Sequence, residues 1–230
     1  MADQGTCIVV GVGPGLGSAV ARRFAQAGHR VALAARHADK LAPFVNEIEA
    51  AGGTARAYAC DATRENEVID LFDRAEAELG GLQVAVYNVS GRVRKPVTEI
   101  TTPEFIDAWQ RSCLGGFLVG REAALRLQPH GRGSILFTGA TASMKGFAQS
   151  ATFAVGKFGL RALAESMARE LQPQGIHVAH FNIDGGIGID DEGDTKLRPD
   201  AIAETYYQVH AQHRSAWSHS IEVRPWVERF

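Results

Sequence analysis

The stretch Cys7-Ile8-Val9-Val10-Gly11-Val12-Gly13-Pro14-Gly15-Leu16-Gly17-Ser18-Ala19-Val20-Ala21-Arg22-Arg23-Phe24-Ala25 decides the fold. Its first four residues form a short, largely β-branched apolar run, the pattern of a buried strand. The glycines let the backbone turn and approach a ligand, and the Ala-rich continuation is a good helix former. A helix opening on free N–H groups attracts anions. A second strand follows about twenty residues later, so strand, glycine turn and helix together read as the pyrophosphate seat of a dinucleotide rather than as a bare tight turn.

Outward from this unit the alternation continues. Arg30 to Ala35 is a second strand ending at Arg36-His37, and a helix runs from about Ala38 to Ala51, stopped by Gly52-Gly53. Ala55 to Cys60 is a third strand, closed by Asp61-Ala62-Thr63, and residues 64 to 79 form a helix with Val68, Leu71, Phe72 and Ala75 inward. Leu82 to Tyr87 is a fourth strand. Strands alternating with helices build a parallel sheet covered on both faces through right-handed crossovers.

The helical region from Pro103 to Leu127 carries apolar residues on two arcs, Trp109, Cys113, Phe117 and Ala124 on one and Leu114, Leu118 and Leu125 on the other, so it is expected to be covered on two sides, by the sheet on one and by a partner subunit as a candidate for the other. Ser134 to Thr138 is strand five. A helix spans about Ser150 to Leu171 with Phe153, Leu160, Leu163, Ala164, Met167 and Leu171 on one face, and Ile176 to Asn182 is strand six. From Asp184 to Pro199 the texture turns irregular, the expected place for a substrate loop. Its Asp190, Asp191, Glu192 and Asp194 lack the ligand order of a calcium loop and read as solvated, so no metal is expected. A helix from about Asp200 to Arg214 and a strand Ile221 to Val223 follow, with Trp217 and Trp226 expected first to pack at the sheet's end, and otherwise to line a substrate mouth or anchor a subunit contact.

The 230 residues suit one well-buried domain, and the net charge of −2 with scattered cations gives no footprint for nucleic acid or an anionic membrane. No apolar run reaches membrane-spanning length, the first strand leaves no room for a signal peptide, and Cys7, Cys60 and Cys113 have no ligand spacing. A cytoplasmic protein with free, mostly buried thiols is the expectation.

Taken together, these residues make the chain similar to the short-chain dehydrogenase/reductase family over nearly its whole length. The family's Thr-Gly-x-x-x-Gly-x-Gly turn matches Gly11, Gly15 and Gly17, with Val10 in place of the threonine, and its adenine-contacting aspartate matches Asp61. Its Asn-Asn-Ala-Gly turn is matched to Tyr87-Asn88-Val89-Ser90. The resemblance implies an α/β, Rossmann-type doubly wound parallel sheet in the order 3-2-1-4-5-6-7, helices on both faces, one NAD(P)-binding domain over residues 1–230 with a substrate-loop insert at about 184–199, and a homo-oligomer, dimer or tetramer. It also places Leu16, Ala62, Asn88, Val89, Ser90 and Ile187 against the cofactor. A carboxylate at the end of the second strand would bind a ribose 2′-hydroxyl; Ala35 stands there and Arg36 follows, a fixed cation suited to a 2′-phosphate, which puts NADP(H) ahead of NAD(H).

The family's chemistry needs a tyrosine as proton donor, a lysine four residues later, a serine about thirteen residues before the tyrosine, and an asparagine on the preceding long helix. These positions read Phe153, Lys157, Ala140 and Cys113. Only the lysine survives, read first as a ribose-binding residue and second as a proton donor. Losing a positioned general acid costs about 10²- to 10⁴-fold. Two expectations therefore stand side by side. One is an NADP(H)-dependent oxidoreductase acting on a small molecule, whose proton comes from Thr141, Ser143, Ser150, Lys157, His180 or water. The other is a catalytically silent NADP(H)-binding sensor or partner subunit.

Overall fold

The computed structural model describes residues 4–189 and 193–228. Its centre is the strand β1 (Thr6–Val10), every residue of which is buried. Alternation along β1 sends Cys7 and Val9 into the apolar layer on one face of the sheet and Ile8 and Val10 into the layer on the other. β1 pairs in parallel with β2 (Arg30–Ala35) on one side and β4 (Leu82–Tyr87) on the other. Outward from these lie β3 (Thr54–Ala59), β5 (Ser134–Thr138), β6 (His177–Ile183) and β7 (Ser220–Val223). All pairings are parallel and the order is β3-β2-β1-β4-β5-β6-β7, as the sequence implies.

One face is covered by α1 (Leu16–Gln26), α2 (Ala42–Ala50) and α7 (Pro199–His210), and the other by α3 (Glu65–Leu79), α5 (Gly115–Leu127) and α6 (Ala151–Leu171). The reversal of winding direction between β1 and β4 leaves a crevice above their carboxyl ends, where ligands of such sheets bind. No helix among the described residues is long and apolar enough to cross a membrane.

Several boundaries differ from the sequence reading. The helix expected from Ala38 opens as a 3-10 turn, Ala38–Leu41, before α2 begins. The region expected as one helix from Pro103 is α4 (Thr102–Trp109), a π turn at Gln110–Leu114, and α5. The wider turn shifts the facing of everything after it, so the two apolar arcs are not kept. Ala124 and Leu118, assigned to different arcs, are both buried, whereas Trp109, Phe117 and Leu125 are exposed. Trp217 stacks on His177 at 4.8 Å, but Trp226 is 79% exposed because β7 has already ended at Val223. Of the acidic group in the insert, Asp190, Asp191 and Glu192 lie outside the described residues.

Candidate functional site

The crevice holds two adjoining cavities of about 330 and 350 Å³ that share Asn88 and Ser90. The first is lined by Gly11 and Gly13 of the turn after β1, Ala35 and Arg36 after β2, Asp61 and Ala62 after β3, and Val89 after β4. α1 begins beside it at buried Leu16, with Gly15 as its cap at φ +118°, a conformation that side-chain-bearing residues rarely adopt. No side chain caps this helix and no acid stands in its first turn, so its N-terminal dipole is uncompensated by the protein. A Cβ at Gly13 or Gly15 would meet no atom within 4 Å, so the turn is an open cradle into which a phosphate fits. Asp61 Oδ1 accepts hydrogen bonds from Thr63 N at 3.0 Å and Thr63 Oγ1 at 2.8 Å. Partial burial raises its pKa, but these bonds and the cations Arg64 and Arg36 outweigh that and hold the carboxyl below its ordinary range. It therefore stays ionised in the cleft. A dinucleotide would fit this lining, with the open glycine cradle able to take its pyrophosphate and with Asp61 and Arg36 in the same cleft to hold its nucleoside end.

Asn88 spans the cleft floor, its Nδ2 donating to Gly11 O at 3.0 Å and its backbone N to Val10 O at 2.8 Å. The turn after β4 closes one residue later than the sequence match placed it. A Cβ on Gly91 would stand 2.5 Å from Ala108 Cα, so the residue that has to be glycine is Gly91, and the turn reads Asn88-Val89-Ser90-Gly91. Buried Ser112, in the π turn, fixes it by accepting from Gly91 N at 2.9 Å.

The second cavity contains Lys157, Phe153, Ala140, Thr141, Ser150 and, from the insert, Ile187. Phe153 and Lys157 follow from α6: four residues apart, they share the face directed at the crevice. Lys157 is 3% exposed, its Nζ donating to Thr138 O at 2.7 Å and Val89 O at 3.4 Å and lying 6.0 Å from the Phe153 ring centroid. Burial without a carboxylate partner lowers its pKa from 10.5 to about 7. Thr138 is itself held by buried Tyr206, whose hydroxyl donates to Thr138 Oγ1 at 2.8 Å. The lysine is thus seated on a strand end tied to α7.

The structure separates the candidate proton donors. Thr141 and Ser150 line the cavity, and their hydroxyls make no hydrogen bond with a described residue. Ser143 does not line it; it is wholly buried, its Oγ accepting from Ala140 N at 3.1 Å to cap the turn. His180 lies behind Gly139, 1% exposed, and burial drives its pKa down to about 3, helped by Lys157 and Arg161, so it holds no proton to give near neutrality. Cys113 does not line either cavity; its Sγ faces Gly159 of α6. Among the described residues no three metal-ligating side chains come together.

Sequence reasoning missed Arg92 and Phe147 in the second cavity and Arg111 in the first. Arg92 follows Gly91, and its Cζ lies 5.1 Å from the centroid of Phe153. An arginine directly after the turn is the only local signal that could have flagged it.

Comparison with known proteins bears on this geometry. The family model described as short chain dehydrogenase matches residues 5–185. The bovine 3-oxoacyl-[acyl-carrier-protein] reductase is 30% identical over 173 residues, 75% of this chain and 71% of that protein. The 7alpha-hydroxysteroid dehydrogenase of Escherichia coli K12 is 31% identical over 176 residues, 76% and 69%. Among solved structures, a short-chain dehydrogenase from Rhodopseudomonas palustris is 43% identical with a TM-score of 0.89, covering 97% of this chain and 99% of that one. A metagenomic short-chain oxidoreductase in complex with NADP is 26% identical with a TM-score of 0.86, covering 97% and 98%. The sheet order agrees with these likenesses, and the chain belongs to the short-chain dehydrogenase family, whose members bind nicotinamide cofactors.

Proposed function

We propose that the protein is an NADP(H)-dependent oxidoreductase that reduces a small carbonyl compound with Lys157, rather than a tyrosine, as the proton source. The observation that carries this reading is the buried Lys157 ammonium, held by two backbone carbonyls in a cavity that opens onto the dinucleotide cleft. When bound, the nicotinamide supplies the hydride. The substrate carbonyl is polarised by the Thr141 or Ser150 hydroxyl, neither of which is paired with a described residue, in the role of the serine that Ala140 lacks. Lys157 then gives one N–H proton to the carbonyl oxygen as the C–H bond forms, and the neutral amine recovers a proton from solvent. With a pKa near 7 the ammonium is a far better acid at neutral pH than an ordinary lysine.

NADP(H) rather than NAD(H) is favoured by Arg36, which lines the cleft after β2 beside Ala35 with no carboxylate at the strand's end to repel a 2′-phosphate. We also propose a homo-oligomer, supported by the exposed apolar side chains Ile106, Trp109, Phe117, Val155 and Phe158 on α4, α5 and α6.

The test is thermal unfolding with NADPH, NADP⁺, NADH and NAD⁺, followed by NADPH oxidation across a carbonyl panel. Ligand at a hundredfold above Kd adds about 2.7 kcal/mol, a shift of roughly 5–11 °C for a chain of this size. A shift with the phosphorylated pair and turnover abolished by Lys157→Met are expected. A shift without turnover on any carbonyl gives way to the silent-sensor reading, and no shift with any dinucleotide refutes both.

A further inference from the structure

The second cavity has an uneven charge. Its lining among the described residues includes two cations, Arg92 and Lys157, and no carboxylate. Neighbouring basic residues are neutralised: Lys95 pairs with Glu104, Arg111 with Asp107 and Arg161 with Glu165. Arg92 makes no ion pair or hydrogen bond with any described residue, and its guanidinium is instead carried against the ring of Phe153, 5.1 Å from the centroid. A second cavity aromatic repeats the arrangement, with Lys145 Nζ 5.6 Å from the centroid of Phe147. Aromatic faces hold a cation in place while leaving its N–H donors free, unlike a carboxylate, which consumes them. A guanidinium whose donors no described residue takes up, at the wall of a concave pocket that also holds Lys157 and no described carboxylate, is suited to a bidentate carboxylate or other oxyanion. The remaining walls, Phe147, Phe153, Ile183 and Ile187, are apolar.

We infer that the substrate is an oxo acid, a carbonyl compound carrying a carboxylate on an apolar or aryl body, and that Arg92 is the residue that anchors this carboxylate. The replacement at position 153 then has a second consequence besides removing a phenol: it presents an uninterrupted aromatic face on which Arg92 rests. This inference rests on the proposed reductase function for the identity of the second cavity as the substrate site.

The experiment uses three probe pairs: benzoylformate, phenylpyruvate and 4-carboxybenzaldehyde, each against its methyl ester. Binding is measured calorimetrically to the NADPH-loaded protein and, separately, to the protein without cofactor. The wild type is expected to bind at least one acid tenfold or more tightly than its ester, with the preference lost in Arg92→Gln and partly kept in Arg92→Lys. The NADPH-induced thermal shift should be the same in all three proteins, which also shows that the variants are folded. If no acid is preferred over its ester, or if the preference survives in Arg92→Gln, the anchoring role is wrong whatever the cofactor does. If NADPH produces no shift, the proposed function fails, and the acid-to-ester preference of the cofactor-free protein still decides the role of Arg92.

Discussion

Replacing Lys157 by Met tests whether the amine is held as the structure shows. Lys157 is 3% exposed and its pKa falls from 10.5 to about 7 through desolvation. In the unfolded chain a lysine keeps its proton to about pH 10.4. Between these values the unfolded state holds a proton that the folded state has released, so the derivative of stability with pH is positive. Below about pH 7 both states are protonated and the burial penalty is felt in full; it is relieved as pH rises through the folded pKa towards the unfolded one. The slope approaches about 1.4 kcal/mol per pH unit, so from pH 7 to pH 9 this one group contributes about 2 kcal/mol of added stability.

Met fills a similar volume and carries no proton. Loss of the donor to the Thr138 and Val89 carbonyls carries a cost that does not change with pH, whatever the net effect of the substitution, and so drops out of the comparison. The assay is urea unfolding of both proteins at the two pH values. With a denaturant slope of about 2 kcal/mol/M, the wild-type midpoint should rise by roughly 1 M more than the variant's between pH 7 and pH 9. Equal changes in the two proteins would refute the buried, unpaired lysine and with it the acid assigned to the reaction.

If Lys157 gives the proton, NADPH-dependent reduction should fall as pH rises through about 7, where the ammonium is lost; a rate flat to pH 9 excludes it as donor. Phe153→Tyr with Ala140→Ser should raise carbonyl reduction by about 10²- to 10⁴-fold at pH 8 and above, where the parent's donor is spent, read as NADPH oxidation. Arg36→Glu should weaken NADPH binding by tenfold or more and leave NADH binding little changed, measured by fluorescence titration. Gly91→Ala should cost about 1–3 kcal/mol in urea unfolding, since its Cβ meets the Ala108 backbone at 2.5 Å and neither segment has a flexible end to yield.

The parts of the site legible in the sequence are those whose signal is local. The β1 turn and α1 are written in adjacent residues, and Arg36 and Asp61 declare themselves by standing at strand ends. The sheet order came with the family resemblance and agrees with the structure. The π turn at Gln110–Leu114 was not legible, because one extra residue in a helical turn leaves no compositional mark, yet it decides which apolar residues of α5 are buried. The fates of Ser143 and His180 were equally hidden. Whether a hydroxyl near a strand end points into a cavity or caps its own turn depends on backbone conformation, and His180 is excluded only by layers contributed from other elements. Arg92 meets Phe153 across two segments remote in sequence, a contact no periodicity predicts.

The retained lysine carries an argument of its own. A buried ammonium without a counter-ion opposes folding, and here the opposition is large compared with the marginal stability of a domain. Where a neighbouring phenol is the proton donor, a lysine's penalty is balanced by the acid it tunes; here Phe153 occupies that place, and among the described residues no carboxylate, phenol or imidazole takes over the charge. Two backbone carbonyls accept from Nζ, one at 2.7 Å and one at 3.4 Å, and Tyr206 is spent on steadying the Thr138 side chain at the same strand end. A side chain held in so unfavourable a state by partners this specific fits a group whose compensation arrives with a ligand, through ribose hydroxyls to accept from it or a carbonyl oxygen to receive its proton. An inert packing role would be served better by Met or Leu at the same position, which is why the Lys157→Met protein should be the more robust molecule at neutral pH if the lysine is there for chemistry and not for the fold.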